Sequence, residues 1–593
     1  MQNPLEFYKS EKLFFEKDLS TLKKKLATSS TIRLIVFSST VFGIYFFFQN
    51  TNIVIGITIT GIILFLYLIV KHTYLQLKRD LTKALIKINK TEIHVQNRDF
   101  FDLDDGSEFI DSKHLYSYDI DLFGRGSFFQ YCNRTTTNEG KKKFVKNLLG
   151  NDISSIKSKQ ESIKELAQKP KWRQQFSAVA SLAKVHYSAK LIADWIHNYK
   201  SAFPKFLTFL PLVFSLISLS IIVLIGLNIM NFQAIVIWFF VGLGLYGAYL
   251  KKVNFLYENA SKAKDTFKQY HILLDKIETT TFKSKILIEK QQAIQVESKK
   301  ASLIFSQFSK ILDALDQRNN ILIAIVANGL FLRDLKISIN IEKWIKNYHH
   351  QVENWFDVIS FFDAQNSLAN FAFNHPEFIF PTINMDKQVI KSKNLGHVLL
   401  KETQRIDNDF TIENQQFFII TGANMAGKST FLRTVSLSIV MANMGLPVCA
   451  EEFIYSPIKL ITSMRTSDSL ADDESYFFSE LKRLKFIVDE INPETSSENY
   501  FIILDEILKG TNSTDKAIGS KKFVQKLVAS GSTGIIATHD LSLCEIEKDL
   551  SQIKNYYFDA EIINDELHFD YKLKDGVCKN MNASFLLKKM KIV

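Results

Sequence analysis

Between Phe417 and Arg433 the chain reads FFIITGANMAGKSTFLR, an apolar run followed by a loop with glycines at 422 and 427 that closes on Lys428 and Ser429. This G-x-x-x-x-G-K-S spacing, set between a strand and a helix, is a phosphate cradle. Loop N–H groups and the helix N-terminus hold the β- and γ-phosphates. Lys428 neutralises their oxygens, and the Ser429 hydroxyl ligates Mg²⁺. Downstream, YFIILDEILKGT (500–511) ends a run of strand formers in Asp505-Glu506. Asp505 suits the magnesium shell, and Glu506 suits orientation or activation of an attacking water. The bland reading of an Asp-Glu pair is a solvated turn; the apolar run before it and the phosphate loop upstream argue against that. A third strand, GIIATHD (534–540), ends in Thr538-His539. His539 is either a polar strand cap or, on the edge that carries the phosphates, a γ-phosphate sensor.

These residues need a parallel sheet to bring them together. From about 385 onward short β-branched and aromatic runs (FFII, KLIT, YFIIL, GIIAT) alternate with helical ones, the pattern of a sheet wrapped by helices. The remainder of the 593 residues has a different texture. Residues 34–70 and 206–250 contain no charged side chain. Each run exceeds the roughly 20 residues of one bilayer crossing and dips in polarity near its middle, at QNTN (49–52) and NIMN (228–231). The expectation is two helical hairpins, 32–48 with 53–71 and 206–227 with 232–250. Lys23, Lys24, Lys25, Arg33, Lys71, Lys78, Arg79, Lys205, Lys251 and Lys252 flank them, which orients both turns outward and keeps the rest of the chain in the cytoplasm. A pair of buried soluble hairpins is the alternative.

Residues 5–28 read as an amphipathic helix, 73–100 as a charged helix, and 138–150 and 153–168 as further helices. From 252 to 375 there is no proline and one glycine, Gly329, with apolar residues at helical spacing, so long helices forming a scaffold are expected. The net charge of +11 suits nucleic acid or an anionic membrane surface equally. Four dispersed cysteines, with no C-x-x-C pair, fit a reducing compartment and argue against a disulfide framework or zinc site.

Taken together, TGANMAGKST (421–430), LDEILKGTNSTD (504–515), ATHD (537–540) and TSDSLADDESYFFSEL (466–481) resemble the MutS family, the mismatch-repair ATPases of the ABC class. The likeness is closest over 395–593, fainter over about 110–200 and faintest over 251–394. It implies ATP and Mg²⁺ as ligands, with Gly422, Asn424, Gly427, Lys428, Ser429 and Thr430 in the nucleotide loop. It also implies a dimer in which Ser475 of the signature loop reaches the γ-phosphate held by the other copy. The family's adenine-stacking aromatic falls near Arg405 here, leaving Tyr571 to supply an aromatic on the other side. Leu508-Lys509 replaces the family's Gly-Arg after the acidic pair. Set against the family's pattern, neither its mismatch-reading domain before the first apolar run nor an extension after the ATPase fold is expected.

The expected architecture is multidomain: an all-α core and lever region with two transmembrane hairpins, then a C-terminal α/β P-loop domain of ABC type. Its order is an amphipathic helix (1–30), hairpin 1 (31–72), a first helical core part (73–205), hairpin 2 (206–250), helical levers (251–390) and the ATPase domain (391–593). Two functions compete. One is a membrane-anchored ATPase that clasps DNA, supported by the resemblance and by lysines such as Lys141-Lys142-Lys143 and Lys299-Lys300. The other is a membrane ATPase acting on a protein or lipid partner, supported by the missing mismatch-reading domain. A transporter fits poorly, with only four expected spans and no charge at membrane depth.

Overall fold

Helix α1 (Pro4–Phe46) starts on Asn3, whose side chain accepts from the Leu5 N–H at 2.9 Å, with Pro4 in the first turn. It runs for 43 residues without a break. The stretch between the amphipathic and apolar segments, ATSSTIR, contains neither Gly nor Pro, so nothing there stops a helix. Helix α2 (Thr51–Gln96), 46 residues long, packs back along it. The expected boundaries at 30/31 and 72/73 therefore fall inside continuous rods. The computed structural model describes residues 3–182, 188–296, 299–384, 388–465, 476–492, 499–563 and 566–579.

The expected helices around 138–150 and 153–168 are present as Asn138–Leu149 and Ile156–Ala167. The second apolar stretch departs from expectation at both ends. Its first arm, α3 (Leu210–Gly226), has only 17 residues, because Pro211 sits in its first turn and bars a longer N-terminal extension. Its second arm, α4 (Gln233–Glu278), continues well past the expected end at residue 250. Beyond it come α5 (Ala301–Asp316), α6 (Ile321–Phe331) and α7 (Arg333–Asn374). Among the described residues, α1, α2 and α4 are long and apolar enough to cross a membrane; α3 and α6 are apolar but shorter.

A buried polar network fastens α1 and α2 to the end of α7. The Tyr8 hydroxyl donates to Asn374 Oδ1 at 2.6 Å, and Asn374 Nδ2 donates to Glu92 at 2.8 Å. Arg134 Nε reaches the other Glu92 oxygen at 2.7 Å. In so dry a place, losing one partner strands the rest, so the network fixes the register of three helices.

Among the described residues the C-terminal part holds two larger sheets and a two-stranded one pairing Glu561–Ile563 with Glu566–His568. A four-stranded sheet runs in the order β1 (Thr382–Ile383), β5 (Glu452–Tyr455), β2 (Gln388–Leu395), β3 (Asn408–Glu413). The six-stranded sheet runs β10 (Leu573–Asp575), β9 (Ile553–Phe558), β4 (Phe417–Gly422), β8 (Thr533–Ala537), β7 (Tyr500–Asp505), β6 (Lys459–Ser463). All its pairings are parallel except β9 with β10. β4 and β8 are buried along their whole length, as strands covered on both faces must be. One face packs on α8 (Lys428–Asn443) in the core shared with α7; the other packs Ile419, Ile502 and Ile536 against Val524 and Leu527 of α10 (Ser513–Ala529).

Candidate nucleotide-binding site

The central strand β4 delivers the phosphate loop. Gly427 has φ +106, a left-handed conformation, and turns the chain into α8; a side chain there would press on the Tyr571 ring. The loop opens on a cavity of about 450 Å³, whose walls include Asn424, Ser429, Thr430, Arg405, His397 and Tyr571. Gly422 closes β4 directly behind it.

Lys428 is buried, and its Nζ donates to the carbonyls of Gly422 at 2.8 Å and Ala423 at 2.9 Å. Burial lowers its pKa, while Glu506 and Asp505 pull in the other direction. A sequestered ammonium of this kind gains most from a nearby polyanion. The Ser429 hydroxyl donates to Asp505 Oδ2 at 2.7 Å. Burial raises the Asp505 pKa, and the Ser429 hydrogen bond opposes the rise. A hydroxyl and a carboxylate side by side are hard oxygen donors of the type Mg²⁺ selects, so the residues present fit that ion.

Glu506 follows β7 with φ +51, and its N–H donates to the Ala537 carbonyl at 2.9 Å, tying it to the end of β8. Its Oε1 lies 2.9 Å from His539 Nε2, and that bond holds its carboxyl down at about 2. His539 Nε2 is in turn 3.3 Å from Lys428 Nζ. The three motifs read from sequence thus converge on one sheet edge, with Lys428, His539 and Glu506 in a chain.

Tyr571 stacks on Phe569, ring centroids 5.8 Å apart, on the wall formed by the chain leading into β10. Arg405 faces the same cavity but is clamped to Asp407 by two hydrogen bonds of 2.6 and 3.1 Å. Ser475 lies outside the described residues; α9 (Tyr476–Glu490) begins immediately after it.

Sequence reasoning missed three contributors. The buried Glu480, on α9, accepts the Leu508 N–H at 2.5 Å and the Lys509 N–H at 3.1 Å, and so fixes the loop behind Glu506. It is the next-to-last residue of the signature-like stretch, which was the available signal. Arg98, just beyond α2, donates to the carbonyls of Val398 at 2.9 Å and Leu400 at 3.3 Å, and Leu400 lines the cavity. Asp121 pairs with Arg433 of α8 at 3.2 Å and with Arg465 at 2.5 Å, directly before the signature-like loop. Nothing local in the sequence marks Arg98 or Asp121, because their partners are hundreds of residues away.

Residues 418–590 match the family model MutS domain V. The DNA mismatch repair protein MutS of Methanococcoides burtonii is 32% identical over 228 residues, 37% of this chain and 25% of that protein. The MutS of Finegoldia magna is 30% identical over 298 residues, 49% of this chain and 32% of that protein. The human MutS protein homolog 4 is 29% identical over 250 residues, 40% of this chain and 26% of that protein. This chain therefore spans about a quarter to a third of the length of these curated relatives. The phosphate loop, the acidic pair and the His539 strand all lie within the matched residues, so the C-terminal part of this chain is similar to MutS domain V.

Proposed function

We propose that the chain is a membrane-rooted ATPase that binds ATP with Mg²⁺ between two copies of domain V and acts on DNA. The observation that carries the ATPase reading is the convergence of Lys428, Ser429, Asp505, Glu506 and His539 within hydrogen-bonding distance at one sheet edge. The loop amides from Asn424 to Thr430 hold the phosphates, and Lys428 supplies the charge that leaves the loop carbonyls for the γ-phosphate. Ser429 and Asp505 hold Mg²⁺, which offsets charge building on the phosphate oxygens when bound. Glu506, ionised throughout the neutral range, accepts a hydrogen bond from the attacking water and aims it at the γ-phosphorus. The bond from that phosphorus to the bridging oxygen breaks, and the water proton ends on inorganic phosphate, since so acidic a carboxyl retains a proton poorly. His539 holds Glu506 and senses the γ-phosphate. Ser475 of the second copy completes the site, and Tyr571 stacks on the base.

The membrane reading rests on α1, α2 and α4, whose apolar windows are almost wholly uncovered. Chemistry at the site reaches them through Arg98, because α2 is one rod of about 69 Å from the apolar end to the wall of the cavity.

A second reading, a protein or lipid partner in place of DNA, is favoured by one observation. Lys141 is paired with Asp104 and Glu108, Lys142 with Glu139, and Lys143 with Asp357, so this cluster is internally neutralised. ATP hydrolysis by detergent-solubilised protein, measured with duplex, mismatched and branched DNA, separates the two. Stimulation with a steep salt dependence supports DNA. Flat rates with no gel shift at low salt give the second reading.

A further inference from the structure

Helix α6, ILIAIVANGLF, lies in a region whose sequence reads as a plain helical scaffold, yet it presents bare apolar side chains. Leu322 is 79% exposed and Ile321 71%, with Ile323, Ile325 and Val326 also exposed. Its other side is tightly fitted. A Cβ on Gly329 would overlap the Phe239 ring, and one on Gly242 would overlap the Gly329 carbonyl, so α6 and α4 touch backbone to backbone. Arg318, just before α6, donates to Asn254 at 2.6 Å. With its far end against Gly242, α6 therefore runs antiparallel along α4 from the level of Asn254.

The helix ends are finished as a water-free environment requires. Asn320 accepts from the Ile323 N–H at 3.4 Å at the start. At the other end, where carbonyls have no partner in the helix, Ser218 donates to Leu330 O at 2.5 Å, and Ser215, which donates to Pro211 O at 2.6 Å, lies 3.3 Å from Phe331 O. Trp238 closes the set by donating to Ser218 Oγ at 2.8 Å. Both serines belong to α3, so three apolar helices share one set of capped backbone groups.

The exposed side of α6 continues that of α3 and α4, where Leu216, Leu219, Ile237 and Phe240 are also bare. Beyond the far end of α6, Arg333 reaches back to Gln317 at 2.6 Å and Asp334 is buried against Tyr246 at 3.2 Å. Lys205, Lys251, Lys252 and Arg318 lie toward the end of the unit near Asn254. This basic rim complements anionic headgroups, and the uncharged surface beyond it complements hydrocarbon. The 11 residues of α6 rise about 16 Å, half of a hydrocarbon core of about 30 Å.

We propose that α6 is a half-depth helix lying in the cytoplasmic leaflet against α3 and α4, so that the second apolar unit is a three-helix wedge with lipid as its occupant. This rests on the membrane reading above. The test uses the whole protein in vesicles of phosphatidylcholine and phosphatidylglycerol, with bimane on single introduced cysteines; the four native cysteines are buried. L322C is compared with I237C on α4 and with K299C, an exposed position outside the apolar unit. Nitroxides are carried on the lipid chains near the headgroup or near the chain end. The expected result is loss of L322C fluorescence as large as that of I237C, greater with the shallow nitroxide, and none for K299C. L322C unquenched while I237C is quenched overturns the proposal, whether water or a second protein copy covers the helix. I237C unquenched as well removes the membrane reading, and this inference with it.

Discussion

Domain V and the apolar helices solve opposite problems of solvation. At the sheet edge, charged groups are crowded together and half dried: burial lowers the proton affinity of Lys428 and raises that of Asp505, while the His539 hydrogen bond lowers that of Glu506. In the apolar stretches of α3, α4 and α6 there is no charged side chain, and polar groups such as Asn328, Trp238 and the last carbonyls of α6 find partners within the unit. The first arrangement stores electrostatic potential for a polyanion; the second leaves nothing for water to bind. Arg98 and the network around Glu92 join α2 to the cavity wall and to α7 through hydrogen bonds, and none of these groups belongs to the sheet edge or to α3, α4 or α6. A substitution in one region should therefore leave the chemistry of the other intact.

The largest expected effect comes from Lys428→Ala. Removal of the buried ammonium of the phosphate loop should weaken binding of a fluorescent ATP analogue by at least about 100-fold, the order expected for losing a desolvated charge pair. Partition of the protein into vesicles in a flotation assay should not change. A loss of both would break the separation between the two regions.

Glu506→Gln comes next. The amide keeps the size and loses the acceptor strength, so hydrolysis should fall by about 100- to 1,000-fold while ATP binding persists. The ATP-bound variant should sediment as a dimer; a monomer would remove the composite site. The same substitution tests the acid limb of stability. The Glu506 carboxyl is depressed from its ordinary value to about 2 by His539, so its contribution is present above the ordinary carboxyl range and is lost as pH falls toward 2. The wild type should therefore lose stability relative to the glutamine variant across that window in thermal melts, and parallel curves would show that the His539 bond carries no stability.

Gly329→Leu addresses the other region. The added side chain must displace Phe239 or open the α4–α6 contact, at a cost of about 1–3 kcal/mol. Trypsin should cut near Arg318 or Arg333 faster, while nucleotide affinity remains that of the wild type.

The two regions also differed in how far their sequence could be read. The phosphate loop and the Asp505-Glu506 pair are chemistry written on adjacent residues, so spacing alone located them, and the strands beneath them followed from uninterrupted apolar runs. The apolar stretches gave away composition but not their ends. ATSSTIR looked like a boundary, yet contains nothing that terminates a helix, and Pro211 shortened α3 from within. The α6 segment was illegible for another reason. Eleven residues, apolar except for Asn328 and Gly329, serve equally as a buried core helix or as an exposed one, and only packing decides which. Glu480 and Arg98 act on backbone groups distant in sequence, a relation with no local pattern at all.

The smallest expected effect is the one that tests the connection itself. Arg98 donates to the Val398 and Leu400 carbonyls and lies over the Tyr131 ring at 4.8 Å. Arg98→Lys keeps a cation near that ring but cannot span two carbonyls, so the variant isolates the fork from the charge. Each lost hydrogen bond is worth about 1 kcal/mol, and the affected loop lines the nucleotide cavity without reaching the phosphates. The KM for ATP should thus rise about two- to tenfold with kcat little changed, because Glu506 and His539 stay where they are. In vesicles, if α2 transmits position to the site, the shift should also depend on whether the helices are embedded. An Arg98→Lys protein whose KM matches the wild type in both detergent and lipid would mean that α2 ends beside the site without acting on it.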